Sequence, residues 1–113
     1  MLTMSTTKSE WSTTEELIAK TAFDMAYRRE AAAMMAEAKR QAELAADPND
    51  FWILNDFLSA RRHDLDGKYD FRSEARVFVL AQLAKEGWLE ISELEGLSID
   101  KLAKIEVLIS TLM

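Results

Sequence analysis

The chain has 113 residues, a length typical of one domain spanning residues 1–113. Its 20 acidic and 14 basic residues give a net charge of -6, which argues against a nucleic-acid-binding protein, because such proteins need a basic face. With no cysteine, one histidine and three glycines, the sequence excludes a disulfide framework and a cysteine-based zinc site, and it gives no reason to expect another metal, a cofactor or a glycine-rich phosphate loop.

The beginning of the sequence is rich in Ser and Thr and lacks the apolar core of a signal peptide. No stretch approaches the roughly 18 consecutive apolar residues of a membrane-spanning helix. We therefore expect a cytosolic protein with no integral membrane segment. Residues 1–11 are expected to fray, and either Met1 or Met4 could begin the natural chain.

The first predicted helix follows Ser12. Ser12 and Glu15 have the spacing of a capping box, and Thr13 with Glu16 repeats that spacing one residue later. From there to Ala46 no glycine or proline interrupts a sequence rich in Ala, Glu, Lys and Met, which favour helices. The helix is therefore predicted to span roughly 33 residues, or about 50 Å.

A segment containing the only proline separates the first helix from the second. Asp47 is a typical N-cap and Pro48 suits the first helical position, so the second helix is predicted to begin at Pro48. It is predicted to run to about Asp66, with Gly67 as its C-terminal cap. Residues 12–66 would then form a two-helix stalk.

The last part of the chain, residues 70–113, is predicted to form a small helical head. Asp70 would cap a third helix, predicted from residue 71 to 86 and stopped by Gly87. A short helical turn from Ser92 would end at Gly96, and Ser98 would cap the last helix. The apolar stripe of that helix comprises Leu102, Ile105, Leu108, Ile109 and Leu112. Because no convincing strand occurs, the predicted fold class is all-α.

The length of the first helix predicts an assembly. A compact chain of this size has a radius of gyration near 13 Å and a diameter of roughly 35 Å, too short to cover a helix of about 50 Å. The overhanging Met and Ala surface needs another cover, and a second copy is the simplest one. We therefore expect a homodimer built on the first two helices. The alternative is a kink that folds the first helix back, which no glycine or proline supports.

Trp52 lies on the polar side of the second helix. On a wheel at about 100° per residue, one half carries the apolar residues Phe51, Leu54, Phe57, Leu58 and Leu65. Trp52 falls in the opposite half, among Asn55, Asp56 and Arg62. Because Trp and Arg dominate binding hot spots, this face favours a dimer or partner interface. The alternative is that the first helix of the same chain covers Trp52.

Two arginine pairs, Arg28-Arg29 and Arg61-Arg62, leave a catalytic alternative open. In a small helical dimer they could hold a dianionic substrate by charge alone, without a nucleophile. The simpler interpretation is that they form ion pairs with the abundant carboxylates. The single histidine, His63, and the carboxylates near it lack the spacing of metal ligands, so no metal is expected.

The second helix also carries a long, specific motif. Residues 51–70 read FWILNDFLSARRHDLDGKYD, and related residues continue at Arg72, at Phe78-Val79, at Ala81-Gln82-Leu83 and at Glu86-Gly87. Further matching positions are Asp100-Lys101 and Lys104-Ile105. In these residues, about half of the chain, the sequence resembles the fluorescence recovery protein family of cyanobacteria. The first helix resembles that family in length and character more than in residue identity.

The resemblance implies an all-helical homodimer with an extended stalk and a smaller head, which carries no cofactor. The implied partner is the orange carotenoid protein, whose light-activated red form quenches excitation on the phycobilisome. The resemblance implies that this chain binds the C-terminal domain of the red form. It would accelerate the return to the orange form and the release from the phycobilisome, ending non-photochemical quenching. It would form no covalent bond, so it would not be an enzyme. A cytosolic location peripheral to the thylakoid surface follows.

The resemblance also implies roles for individual residues. Four positions of the second helix match residues tied in the family to the dimer interface and activity: Trp52, Asn55, Asp56 and Arg62. Asn55 stands where the family is expected to have a histidine, and an amide cannot titrate near neutral pH. Phe78 and Lys104 match head positions linked to binding of the carotenoid protein.

Two other functions remain open from the residues alone. A member of the same fold could act as an adaptor for a different protein partner. The less favoured alternative is a small helical enzyme that uses the arginine pairs, and a cleft lined by Arg28, Arg29, Arg61 and Arg62 would support it.

Overall fold

The computed structural model describes residues 10–112 of the chain. Its elements are α1 (Thr13–Leu44), α2 (Pro48–Lys68), α3 (Arg76–Lys85), a 3₁₀ helix (Ile91–Leu94) and α4 (Ile99–Thr111). These described residues contain no strand, and the all-α prediction is confirmed. None of the helices within 10–112 is both long and apolar enough to cross a membrane.

Capping residues in the sequence correctly predicted where α1, α2 and α4 begin. The N-caps of α1, α2 and α4 are Ser12, Asp47 and Ser98, as predicted. In the first of them, the Ser12 hydroxyl accepts from the Glu15 N–H at 3.0 Å, and the Glu15 carboxylate accepts from the Ser12 N–H at 3.1 Å. Such reciprocal bonds satisfy donors that a helix otherwise leaves without partners, which fixes the start of α1.

The second helix is longer than predicted. Gly67 lies inside α2 and is not its cap, since the helix continues through Lys68. The Lys68 ammonium binds the carboxylate of Glu30 on α1 at 2.8 Å, and the Tyr69 N–H donates to the Leu65 carbonyl at 3.4 Å. The ion pair of Lys68 with Glu30 joins α2 to α1 and holds the last turn of α2. The rule that glycine ends a helix uses only neighbouring residues, so it does not predict this contact.

The third helix is shorter than predicted. It begins at Arg76, five residues after the predicted start at residue 71, and Asp70 does not cap it. Instead, the Asp70 carboxylate accepts the Arg72 N–H at 3.1 Å and the Arg72 Nη2 at 2.6 Å. The guanidinium competes for the oxygens that would otherwise cap the helix, and residues 73–75 form a turn ahead of it.

The end of α3 depends on a glycine. Gly87 has a φ of +88°, a conformation that side chains with a Cβ rarely adopt. Its N–H donates to the Ala84 carbonyl at 3.1 Å, and the Trp88 N–H donates to the Leu83 carbonyl at 2.9 Å. This pair of bonds is a Schellman motif, and the predicted stop at Gly87 is confirmed.

The hydrophobic core lies at one end of the molecule. Its largest fully buried side chains are Leu80, Leu83, Leu94 and Ile105. The first half of α1 contributes Ala19, Ala22, Phe23 and Ala26 to the same cluster. The core therefore draws on residues 19–26, which the division made from the sequence assigned to the stalk. We call residues 10–30 and 61–112 the head, and residues 31–60 the stalk tip.

Trp11 is packed at the start of the described chain. The Arg76 guanidinium lies 5.0 Å and the Lys101 ammonium 4.8 Å from the centroid of its ring. Both distances are within the range of cation–π contacts. Trp11 was included in the segment predicted to fray, but these contacts hold it against the head. The fraying predicted for residues 1–9 and the choice between Met1 and Met4 lie outside the described residues.

The molecule is elongated. It extends over 65 × 27 × 26 Å, and its radius of gyration is 17.7 Å. A compact chain of this length would have a radius of gyration near 13 Å. Because α1 is a continuous helix of 32 residues, the alternative of a first helix folded back on itself is wrong.

Candidate protein-interaction surface

The stalk tip is a pair of helices without a core. Of its residues 31–60, all of which the structure describes, none is buried. Six large apolar side chains are exposed there: Met35, Leu44, Phe51, Trp52, Ile53 and Leu58. A concentration of exposed large apolar side chains is typical of contact sites for other proteins. The stalk tip is therefore the strongest candidate for an interaction surface.

Helix α2 exposes apolar side chains on both of its faces. In the apolar stripe of α2 only Leu65 is buried, Phe57 is half-buried, and Phe51 is 50% exposed. On the opposite face Trp52 is 65% exposed. The alternative in which helix α1 of the same chain covers Trp52 is therefore wrong. Within one chain, α1 is too narrow to cover both faces of α2.

The polar residues predicted beside Trp52 share its side of α2. Asn55, Asp56 and Arg62 are exposed, and with Trp52 they fall within an arc of about 120° at 100° per residue. The Arg62 side chain is 86% exposed, with its Nε 3.8 Å from an Asp66 oxygen. Such a long contact between exposed groups holds the guanidinium only weakly, so Arg62 is available to a partner.

The two head residues lie on other elements. Phe78 belongs to α3 and is 48% exposed, although its neighbours Val79 and Leu80 are buried. Lys104 belongs to α4 and is exposed beside the buried Ile105. The structure therefore brings the four α2 residues onto one face, while Phe78 and Lys104 belong to the head.

A buried carboxylate between the stalk tip and the head was missed from the sequence. Glu30 is 2% exposed and accepts from Arg61 Nη2 at 3.1 Å, Lys68 Nζ at 2.8 Å and Tyr69 Oη at 2.8 Å. Lys68 also binds Glu86 at 2.6 Å. We call these five residues the Glu30 hub. Because Glu30 is 31 to 39 residues away from these donors, no local pattern signals the hub.

The hub changes the protonation behaviour of its tyrosine. Burial is the main cause, and together with the hydrogen bond to the Glu30 carboxylate it raises the pKa of Tyr69 far above its ordinary value. The phenol therefore stays protonated and donates to Glu30 over the whole physiological pH range. For Glu86, burial opposes the charged form, but bonds from Lys68 and Gln82 outweigh it and lower the pKa.

The arginine pairs do not form an anion site. Arg61 binds Glu30 within the hub and lines an open cleft of about 560 Å³ there, whereas Arg28, Arg29 and Arg62 are not part of its wall. Arg29 binds Glu93 through two bonds of 2.8 and 2.7 Å. The cleft that would have supported a helical enzyme is therefore not formed by these four residues. Within residues 10–112 no cluster of His, Cys, Asp and Glu could hold a metal ion.

Comparison with known proteins gives this surface its context. The sequence model of the family described as photoprotection regulator fluorescence recovery protein matches residues 11–109. The chain belongs to this family. The match spans the stalk tip and nearly all of the head, so the family assignment does not rest on the α2 motif alone.

Relatives of the fluorescence recovery protein family agree in sequence and in fold. The chain is 43% identical over 105 residues to the fluorescence recovery protein of Synechocystis sp., covering 93% of this chain and 96% of that protein. The solved structure of the Fremyella diplosiphon protein is 45% identical, with a TM-score of 0.83 over 88% of this chain and 97% of that one. The Synechocystis structure has a TM-score of 0.85 at 43% identity, over 91% and 100% of the two chains.

Proposed function

We propose that this chain is a homodimer that binds the photoactivated red form of the orange carotenoid protein through that protein's C-terminal domain. In this proposal it accelerates the return to the orange form and the detachment from the phycobilisome, which ends non-photochemical quenching. Membership of a family of photoprotection regulators supports the regulatory role. The observation that carries the proposal is the exposure of Trp52, because it supports action through contacts with proteins.

The positions of the exposed residues suggest different roles for the stalk tip and the head. In the proposed dimer the stalk tip of each copy covers that of the other, burying the Trp52 ring. Asp56 and Arg62 then form charge-assisted hydrogen bonds in the interface. Phe78 and Lys104 offer the carotenoid protein an apolar contact and a cation on the head.

The proposed chemistry is the catalysis of a conformational change. A binding protein accelerates such a change when it binds the transition state more tightly than the starting state. A hundredfold acceleration requires about 2.7 kcal/mol of this differential binding. No nucleophile, metal or cofactor is needed. Since the regulator is released afterwards, it acts on many partner molecules in turn.

The test of the proposal is the dark return of photoactivated orange carotenoid protein, followed by absorbance with and without this chain. Acceleration at less than one regulator per carotenoid protein is the expected result. If a folded dimer leaves the rate unchanged with the carotenoid protein of the same organism, the proposal is wrong. The chain would then be an adaptor for another partner.

A variant of Arg62 tests the role of the α2 face. Arg62→Leu is expected to reduce the acceleration by about tenfold, because hot-spot arginines contribute on the order of 1.4 kcal/mol or more. Helix content, measured by circular dichroism, should stay unchanged since the side chain is exposed. Lys20→Leu is the matched control, because Lys20 is also an exposed cation paired with a carboxylate four residues away. Equal losses of helix content and activity in Arg62→Leu would make the residue merely structural.

A further inference from the structure

The Glu30 hub lies where two differently stabilised parts of the chain meet. On one side, residues 31–60 contain no buried side chain. On the other side are the buried Leu65 and the apolar core of the head. Local stability follows buried apolar contacts, so opening in one isolated chain begins in the stalk tip.

Opening of the stalk tip separates the two helices from their far end inward. Helix α2 joins α1 at the head end through the hub, where Arg61 and Lys68 reach Glu30. Leu65, the buried residue of α2, lies between these two cations in the sequence. If the helices separate from the stalk tip inward, the contacts of the hub would therefore have to break before those of the core.

The hub resists further separation for an electrostatic reason. Glu30 is 2% exposed, and the Lys68 side chain is 13% exposed. Removing one partner of a buried ion pair leaves an uncompensated buried charge, which is strongly unfavourable. With three donors on Glu30, and Lys68 also bound to Glu86 on the α3 side, separation must disrupt several bonds together.

We propose that the Glu30 hub is a boundary between two units that unfold separately. The stalk tip opens when its cover is removed, and the hub stops the opening at Glu30, so that the head keeps its fold. A single copy of the chain thus presents a folded head. This inference rests on the proposed dimer, whose second copy covers the stalk tip, and it does not depend on the identity of the partner protein.

Hydrogen exchange followed by mass spectrometry tests the boundary on the full chain. Phe51→Glu places a charge on the stalk tip and removes apolar cover. We expect exchange in residues 31–60 to become at least ~10-fold faster than in the unchanged chain. Exchange in α3 and α4 should stay within about twofold. Unchanged exchange in residues 31–60, or faster exchange throughout the head, would overturn the proposal.

A second substitution tests the hub itself. In the background of Phe51→Glu, Glu30→Gln removes the buried charge and should extend the faster exchange into α3 and α4. The matched control is Glu37→Gln, because Glu37 is a carboxylate of the same helix that binds Arg40 and Gln41 within the stalk tip. With the control, the faster exchange should stay confined to residues 31–60.

A milder variant keeps the test decisive if Glu30→Gln prevents folding. Tyr69→Phe removes one donor from Glu30 and leaves both cations in place. Combined with Phe51→Glu, it should make hydrogen exchange in α3 a few fold faster. A change of this size is expected from the loss of one hydrogen bond. Head exchange identical to that of Phe51→Glu alone would show that the hub is not the boundary.

Discussion

Arg61 and Arg62 are adjacent residues with opposite environments. The Arg61 side chain is 33% exposed and binds the buried Glu30, whereas the Arg62 side chain is 86% exposed. The difference follows from helix geometry, because neighbouring residues point about 100° apart. Arg61 faces α1 and supports the fold, and Arg62 faces away from it. Only the second of these arginines is available for binding a partner.

At the residue scale, two glycines should respond in opposite ways to alanine. Gly96 has a φ of +108°, and a Cβ built on it would lie 2.5 Å from Cδ1 of Ile18. Gly96→Ala is therefore expected to lower the free energy of unfolding by ~1–3 kcal/mol, through backbone strain and crowding. Unfolding in urea, followed by circular dichroism, measures this change.

The matched control for that prediction is Gly67→Ala. Gly67 lies within α2, and a Cβ built there meets no atom within 4 Å. Alanine should raise the free energy of unfolding by roughly 0.5–1 kcal/mol, because glycine is a poor helix former. If Gly96→Ala leaves the free energy of unfolding unchanged or raises it, the conformation assigned to Gly96 is wrong.

At the scale of elements, an ion pair joins α1 to the 3₁₀ helix. Arg29 donates to both carboxylate oxygens of Glu93 and to the Trp88 carbonyl at 3.0 Å. The guanidinium is the main cause that lowers the pKa of Glu93 to about 2, and the bond from the Glu90 N–H adds to it. The folded chain therefore favours the charged form of Glu93.

This shift predicts a dependence of stability on pH. Because the pKa of Glu93 is lower in the folded chain than its ordinary value of 4.5, its contribution is present above pH 4.5. The contribution is lost as the pH falls from 4.5 to about 2. Thermal melts of the unchanged chain and of Glu93→Gln should differ at pH 7 and converge across this window. A difference in melting temperature that stays constant down to pH 2 would contradict the assignment.

The boundaries of helices could be predicted where the signals are local. Ser12, Asp47 and Gly87 form caps with residues at most five positions away, so the sequence around them contains the necessary information. The prediction for Asp70 failed because its carboxylate binds Arg72 instead of capping the helix. The prediction for Gly67 failed because α2 continues to Lys68, which binds Glu30. Glu30 is distant in sequence, so this contact is recognisable only in the folded chain.

The candidate interaction surface, like the helix boundaries, could be predicted only in part. The helical wheel placed Trp52 away from the apolar stripe, and the structure leaves it exposed. The same wheel placed Phe51 and Leu58 in the apolar stripe, but the structure leaves both of them exposed as well. A wheel identifies which residues share a face, and only the whole molecule shows whether another element covers that face.

At the scale of the whole molecule, the elongated shape predicts a dimer in solution. Sedimentation equilibrium should give a mass near twice the 12.9 kDa of one chain. Trp52→Glu should shift the mass to that of a single chain at micromolar concentration, because a charge replaces apolar area that the partner copy would cover. Val107→Glu is the control, since Val107 is similarly exposed but lies on the head. A single-chain mass for the unchanged protein would refute the dimer.

The bonds between the first turn of α1 and the start of α4 have a consequence for how the protein folds as it is made. Glu15 accepts from the Ser98 N–H at 2.8 Å and from Lys101 Nζ at 3.2 Å, across separations of 83 and 86 residues. The Glu15 carboxylate therefore lacks these two partners until the ribosome has synthesised the start of α4. Contacts between such distant segments form late and slowly. In a nascent chain the start of α1 is thus joined to the head only after the last helix begins to emerge.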